Sequence, residues 1–175
     1  MPSSRTHDAV TFILSVPTFL IGYFLTRDIT CSAVLTASML FGGLMFGPDL
    51  DLQSAQYTRW GPLRFLWWPY KTFFKHRSRF THGLIWGTAI RVVYFVAVMT
   101  LLLAAALYIR NAYLLHSPQT RGGEFVQAAR EVWSFIKSLD RRLLIAGLVG
   151  VWWGAASHTL TDLICSVSKQ SKKIF

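Results

Sequence analysis

Charged residues are scarce in this sequence of 175 residues, and acidic residues are the scarcest. Only 15% of the residues are charged, with eight Asp and Glu against eighteen Lys and Arg, whereas 53% are hydrophobic. An ordinary soluble domain has about 25% charged residues, so the composition excludes that class. The net charge of +10 and the many aromatic residues favour a lipid bilayer containing anionic lipid as the partner, and no nucleic acid is expected.

Cysteine is also nearly absent, which limits the roles that thiols can have. The two cysteines, Cys31 and Cys165, fall near opposite ends of the apolar segments that contain them. We therefore expect neither a disulfide nor cysteine-based catalysis, and we interpret both side chains as small apolar fillers.

Long neutral segments separate the few charges. No Asp, Glu, Lys or Arg occurs in residues 9–26, 29–47, 92–109 and 143–157. A helix that crosses a bilayer needs about 20 mostly apolar residues. The sequence predicts an all-α integral membrane bundle, one domain over residues 1–175, with four spans at about 9–26, 29–47, 82–109 and 143–165.

The basic residues predict the orientation of these spans. Ten Lys and Arg fall on the face that carries the N-terminus and seven on the other, and Arg91 inside the third span completes the eighteen. Cytoplasmic loops are enriched in Lys and Arg. With an even number of spans, both termini are therefore predicted to be cytoplasmic.

Two connecting segments are predicted to lie at the membrane surface. Residues 62–75 combine Trp and Tyr with Lys and Arg, which suits the headgroup layer. This segment is either an anchor or a lid over a lipid substrate. Residues 124–139 place apolar side chains on one stripe, which predicts an amphipathic helix without chemistry of its own.

Histidine and aspartate side chains gather on the N-terminal face of the predicted bundle. Residues four apart on a helix share one side, so the last span presents an imidazole and a carboxylate together. Two acids two positions apart after the second span point the same way in an extended segment, and two histidines flank the start of the third span. The candidate metal ligands are His7, Asp49, Asp51, His76, His82, His158 and Asp162.

This donor set suits a divalent metal ion. Imidazole and carboxylate ligands favour zinc, with manganese or iron as alternatives. Seven candidates exceed the four ligands of a tetrahedral zinc, so the site holds either two ions or one ion beside a general base. Asp49, Asp51 and His82 are the candidate catalytic residues. The candidate ligands for an anionic substrate are Arg59, Arg64, Arg77 and Arg79.

The ordered motifs resemble those of a known family. Pro-Asp-Leu-Asp at 48–51, His-Arg-Ser at 76–78, Thr-His at 81–82 and His-x-x-x-Asp at 158–162 resemble the YdjM-like bacterial inner-membrane proteins, which are described as metal-dependent hydrolases. A sister group of uncharacterised bacterial predicted metal-binding proteins is more similar still, through Arg-Thr-His-Asp at 5–8, Phe-Gly-Gly-Leu-Met-Phe-Gly-Pro-Asp-Leu-Asp at 41–51 and Arg-Trp-Gly-Pro-Leu-Arg at 59–64. The resemblance implies the seven ligands above and a bacterial inner-membrane location. One departure is Gly83, where the YdjM-like pattern has serine.

The leading interpretation is a metal-dependent hydrolase that acts on a phosphate ester or lipid-like substrate at the cytoplasmic face. A non-catalytic metal-binding membrane protein, either a sensor or a carrier, is the alternative, and a structural four-helix protein without metal is the third. A transporter places polar groups near mid-membrane. Apart from Arg91, the first three spans are apolar, which counts against transport. The sequence does not indicate an oligomeric state.

Overall fold

The computed structural model describes residues 3–73, 86–110 and 123–171, and all regular structure within these ranges is helical. Two 3₁₀ helices, Pro48–Asp51 and Gly61–Trp67, accompany seven α-helices in the described ranges. We number the latter α1 (Ser4–Thr26), α2 (Ile29–Leu44), α3 (Ala55–Thr58), α4 (Trp68–Phe73), α5 (Trp86–Ile109), α6 (Gly123–Ser138) and α7 (Arg141–Ser171). The predicted all-α class is confirmed.

Four of these helical segments are long and apolar enough to cross a membrane. They cover Ser4–Thr26, Ile29–Asp51, Trp86–Ile109 and Arg141–Val167. Each coincides with one predicted span to within a few residues, because the uncharged stretches are also the stretches that form long helices. The predicted start of the third span, 82–85, lies outside the described residues.

The chain forms two compact units. The first contains Met1–Arg91 and Arg142–Phe175, and the second contains Val92–Arg141. Helix α6 belongs to the second unit and forms where the sequence predicts an amphipathic helix over 124–139. The candidate site residues that the structure describes belong to the first unit.

A tight turn joins α1 to α2. Arg27 adopts a left-handed backbone conformation with φ of 54° and caps α1. The side chain of the next residue, Asp28, accepts hydrogen bonds from the backbone N–H groups of Thr30 and Cys31 at the start of α2. Because Arg27 ends α1 and Asp28 begins α2, the two helices pack as an antiparallel pair.

Helix α2 packs against α7 through glycines. Gly150 and Gly154 lie one turn apart on α7 and approach the backbone of α2 at Leu35, Met39 and Gly43. A methyl group at Gly154 would overlap the backbone atoms of Met39 and Gly43. Small residues four apart allow apolar helices to approach this closely. The packing fixes the part of α7 one turn before His158 against the end of α2.

The segment after α2 folds back over the end of that helix. The last carbonyl groups of an α-helix have no partner within the helix. Here three side chains from residues 56–60 donate to them: Gln56 Nε2 to Gly43 at 2.9 Å, Arg59 Nη1 to Leu44 at 2.8 Å and Trp60 Nε1 to Met45 at 2.9 Å. These bonds hold the segment over the end of the bundle that carries the candidate site.

The aromatic segment 62–75 is only partly exposed, up to the last described residue, 73. Trp67 and Tyr70 are buried among other aromatic rings rather than displayed at a surface. Trp68 and Phe73 are exposed. Trp67 and Tyr70 are thus packed inside the protein. The exposed rings keep the membrane-anchor interpretation as a prediction.

Candidate metal centre

Three of the predicted ligands converge in the first unit. His7 lies in the first turns of α1, and His158 and Asp162 lie one turn apart on α7. One ligand atom from each residue lies within 4.8 Å of the other two. Residues separated by more than 150 positions in sequence are therefore neighbours in space, which is the kind of arrangement that a metal site requires.

The carboxylate of Asp162 faces both imidazole rings. Its Oδ1 lies 3.4 Å from Nε2 of His7, and its Oδ2 lies 3.7 Å from Nδ1 of His158. The two rings stack with centroids 3.8 Å apart and planes inclined by 6°. Both histidines are buried and Asp162 is partly exposed, so the cluster is accessible from the side of the Asp162 carboxylate.

The donor atoms fit a divalent ion. Ligands about 2.0–2.1 Å from a tetrahedral ion are separated by about 3.3 Å, close to the shorter observed distance. Two imidazoles and a carboxylate suit zinc, manganese or iron, and the geometry alone does not choose among them.

Asp49 approaches the same group from the end of α2. Its Oδ2 lies 3.8 Å from Nε2 of His158. Ser54 Oγ donates to the Asp49 carbonyl at 2.8 Å, and the Asp49 backbone N–H donates to Gln56 Oε1 at 3.3 Å. These bonds fix the position of the Asp49 backbone beside α7.

The backbone around Asp49 and Asp51 corrects one expectation. The sequence predicts an extended segment in which both acids point the same way. Pro48–Asp51 is instead a 3₁₀ helix, where residues two apart lie on different sides. Asp49 faces His158, whereas Asp51 is buried and interacts electrostatically with Tyr70 and Arg91. Among the described residues, Asp51 is not part of the cluster of three ligand atoms.

The buried network around Arg91 was not anticipated. Arg91 is only 1% exposed, interacts electrostatically with Tyr70 and donates a hydrogen bond to Thr88 Oγ1 at 3.2 Å. Burial raises the pKa of the Tyr70 hydroxyl, Asp51 raises it further, and Arg91 opposes both. The sequence held one signal for this network: an arginine in an apolar segment is costly and needs an acidic or polar partner.

A small pocket opens beside the His and Asp cluster. Its volume is about 100 Å³ and its lining includes Asp8, Arg59 and Gln56 as well as the cluster itself. Arg59 reaches Asp8 with its guanidinium group. Of the arginines predicted to bind substrate, Arg59 lines this pocket. Arg64 is exposed on the second 3₁₀ helix and is not among the lining residues described. Sequence reasoning missed Asp8 and Gln56, whose roles depend on partners far along the chain.

Four candidate residues lie outside the described residues. They are His76, Arg77, Arg79 and His82. The roles of the two histidines as metal ligands, of His82 in catalysis and of the two arginines in substrate binding stay predictions.

Comparisons with known proteins agree with this chemistry. The profile of the family described as uncharacterized metal-binding protein (DUF2227) matches residues 2–172. A protein from Aquifex aeolicus (strain VF5), described only as an uncharacterized protein, is 41% identical over 56 residues. That alignment covers 31% of this chain and 39% of the relative, so the chain spans well under half of the relative's length. No solved structure matches the chain.

Proposed function

The chain belongs to this uncharacterised metal-binding family, and on that premise we propose that it is a membrane-embedded hydrolase that uses a divalent metal ion to cleave a phosphate ester. The observation that carries the proposal is the convergence of His7, His158 and Asp162 at one pocket. The four apolar helices support a location in the membrane, and we propose the bacterial inner membrane with both termini in the cytoplasm.

The three converging side chains would hold the metal. Zinc is the ion that we propose first, and manganese and iron accept the same ligands. A bound divalent ion would supply Lewis-acid chemistry, activating water and neutralising charge on a phosphate ester. The buried rings of His7 and His158 exclude water from one side, and partly exposed Asp162 leaves the pocket side open.

The other pocket residues have supporting roles in this proposal. The carboxylate of Asp49 lies near Nε2 of His158, across the ring from the nitrogen that faces Asp162. A carboxylate in this position fixes the orientation of the ring and raises the basicity of the imidazole as a metal ligand. Arg59 lines the pocket with a cation suited to a phosphate group, although it now contacts Asp8. An anionic substrate would compete with Asp8 for that guanidinium. Because the pocket belongs to an apolar bundle, we propose a lipid-like phosphate ester as the substrate class.

One observation favours the second candidate, a non-catalytic metal sensor or carrier. Small-molecule sites usually enclose about 300–1,000 Å³. The pocket here measures about 100 Å³, enough for an ion with a few waters but not for a whole lipid headgroup. A hydrolase would have to enlarge this pocket to bind its substrate, whereas a sensor or carrier would not.

Metal analysis and a phosphatase screen on one detergent-purified sample test the proposal. The matched variants are the double substitution His158→Ala with Asp162→Ala and the control Asp28→Asn, which retains a capping residue at the start of α2. Stoichiometric metal with activity that only the double variant loses would support the hydrolase. Stoichiometric metal without activity on any phosphate ester would favour the sensor or carrier, and parent protein without metal would refute both candidates.

A further inference from the structure

The relative orientation of the two histidine rings limits how they can bind metal. The lone pair of an imidazole nitrogen lies in the plane of its ring, so a ligated ion lies close to that plane. The planes of His7 and His158 are inclined by only 6°, with centroids 3.8 Å apart. Two nearly parallel planes at this separation do not meet near the rings. A single ion therefore cannot lie in both planes while the rings stay stacked.

Packing opposes the rotation that a single ion would require. His7 is 7% exposed and His158 is 4% exposed. Tilting either ring toward the other would move it against neighbours in a tightly packed interior, where even small shifts are costly. Nε2 of His158 also faces Asp49, which favours keeping the ring in its present plane.

The carboxylate of Asp162 offers one oxygen to each ring. Oδ1 is the atom near Nε2 of His7, and Oδ2 is the atom near Nδ1 of His158. A carboxylate that binds one ion through each oxygen is a bridge between two ions. Dinuclear sites hold their ions about 3.5–4 Å apart, which resembles the separation of the stacked rings.

We propose that the site is dinuclear, with one ion on Nε2 of His7, a second on Nδ1 of His158, and Asp162 bridging them. This inference rests on the proposed function, because it presumes that the cluster binds metal at all. It goes further by assigning a nitrogen to each ion and by making Asp162 the shared ligand. A pair of ions suits a phosphate ester, since two cations can stabilise both the attacking and the leaving oxygen.

The test measures ion number and ion–ion coupling rather than activity. The full chain is purified in detergent, stripped with a chelator, loaded with Mn²⁺ and freed of excess ion. Elemental analysis then gives the number of ions per chain, and electron paramagnetic resonance distinguishes an isolated Mn²⁺ from an exchange-coupled pair. We expect two ions per chain and a coupled spectrum.

Three single substitutions sharpen the result. His7→Ala and His158→Ala should each reduce the content from two ions to one and give an uncoupled spectrum, because each removes the ligand of a different ion. Asp162→Asn should abolish coupling, since an amide lacks the second carboxylate oxygen. Asp28→Asn, at the other end of α1, should retain two coupled ions.

The outcomes separate this inference from the proposed function. One ion per chain in the parent, lost completely in both histidine variants, would overturn the dinuclear site while leaving a metal site intact. Two ions without coupling would overturn the bridging role of Asp162. Parent protein that binds no metal would overturn the proposed function and this inference together. The parent measurements decide the first and third cases without any variant that must fold.

Discussion

Asp49 Oδ2 lies 3.8 Å from Nε2 of His158, at the opposite edge of the ring from the nitrogen that faces Asp162. A neutral histidine binds a metal ion through one nitrogen and donates a hydrogen bond from the other. If Nδ1 holds the ion beside Asp162, then Nε2–H is directed toward Asp49. In that arrangement Asp162 would be a metal ligand, whereas Asp49 would support the ring of His158.

We expect Asp49→Asn to weaken metal binding by about 10–100-fold without changing the number of ions bound at saturation. The amide is close in size to the carboxylate but lacks the negative charge that raises the basicity of the ring. Isothermal titration calorimetry of the chelator-stripped protein with Zn²⁺ measures both the affinity and the number of ions bound. Loss of a whole ion at saturation would show instead that Asp49 is a direct ligand, as the sequence alone suggests.

The close approach of α2 and α7 gives a second prediction. Gly154→Ala should destabilise the folded protein by about 1–3 kcal/mol or more, because the added methyl group meets backbone rather than flexible side chains. Since Gly154 lies one turn before His158, metal affinity should fall as well. Thermal unfolding in detergent, with and without Zn²⁺, measures both effects.

Gly147→Ala on the same helix is the matched control. The added Cβ would lie 3.7 Å from Ser38 Oγ and 4.0 Å from Val34 Cγ1, which are ordinary contact distances. This variant should unfold near the parent temperature. Equal destabilisation by both substitutions would mean that the close approach of α2 and α7 does not set the effect, because the intrinsic helix propensity of alanine exceeds that of glycine.

The helices could be predicted from the sequence because their signal is local. Uncharged stretches of about 20 residues mark the spans, and the i, i+4 spacing of His158 and Asp162 places both on one side of α7. The sequence also predicted that His7 lies near them, because all three residues were expected on the membrane face that carries the N-terminus. Those rules rest on composition and helical periodicity alone.

Other features of the site depend on contacts that no local pattern encodes. The split between Asp49 and Asp51 arises because Pro48–Asp51 winds into a 3₁₀ helix, held by Gln56 and Ser54. Two partners of Arg91 lie far from it in sequence: Tyr70 comes from the aromatic segment about 20 residues earlier, and Asp51 comes from the end of the second span. The stacking of the two histidine rings depends on the packing of α1 against α7. Periodicity identifies which side of a helix a residue occupies, but not which partner it meets.

The orientation of the chain gives a third prediction. With four spans and more basic residues on the N-terminal face, both termini should be cytoplasmic. In a background without Cys31 and Cys165, a cysteine introduced at Ser3 or at Ser171 should resist a membrane-impermeant maleimide in intact cells. Both should react after the membrane is permeabilised, which is the internal control. If one of the two reacts in intact cells, the number of spans is odd, and the shared face for His7 and His158 is lost.

The buried phenol of Tyr70 gives a fourth prediction, on alkaline pH. Burial raises the pKa of this hydroxyl above its ordinary value of 10.0, chiefly by desolvation and against the opposing effect of Arg91. Below pH 10 the folded and unfolded chains both keep the proton, so this contribution to stability is complete. Above pH 10 the unfolded chain releases the proton first. The free energy of unfolding should therefore fall by up to about 1.4 kcal/mol per pH unit, until the pH passes the raised pKa of the folded state.

Tyr70→Phe removes this proton and also the polar interaction with Arg91. At pH 8 the variant should be less stable than the parent by about 1–3 kcal/mol, because a buried polar group of Arg91 loses a partner. As the pH rises above 10, the difference between the two proteins should shrink, since only the parent loses stability through Tyr70. Tyr23→Phe, which removes an exposed phenol, should follow the parent over the whole range. Denaturant unfolding in detergent from pH 8 to pH 11 measures the free energy of unfolding of each protein. If the parent and Tyr70→Phe differed by the same free energy at every pH, burial of this hydroxyl would not control the loss of stability at alkaline pH.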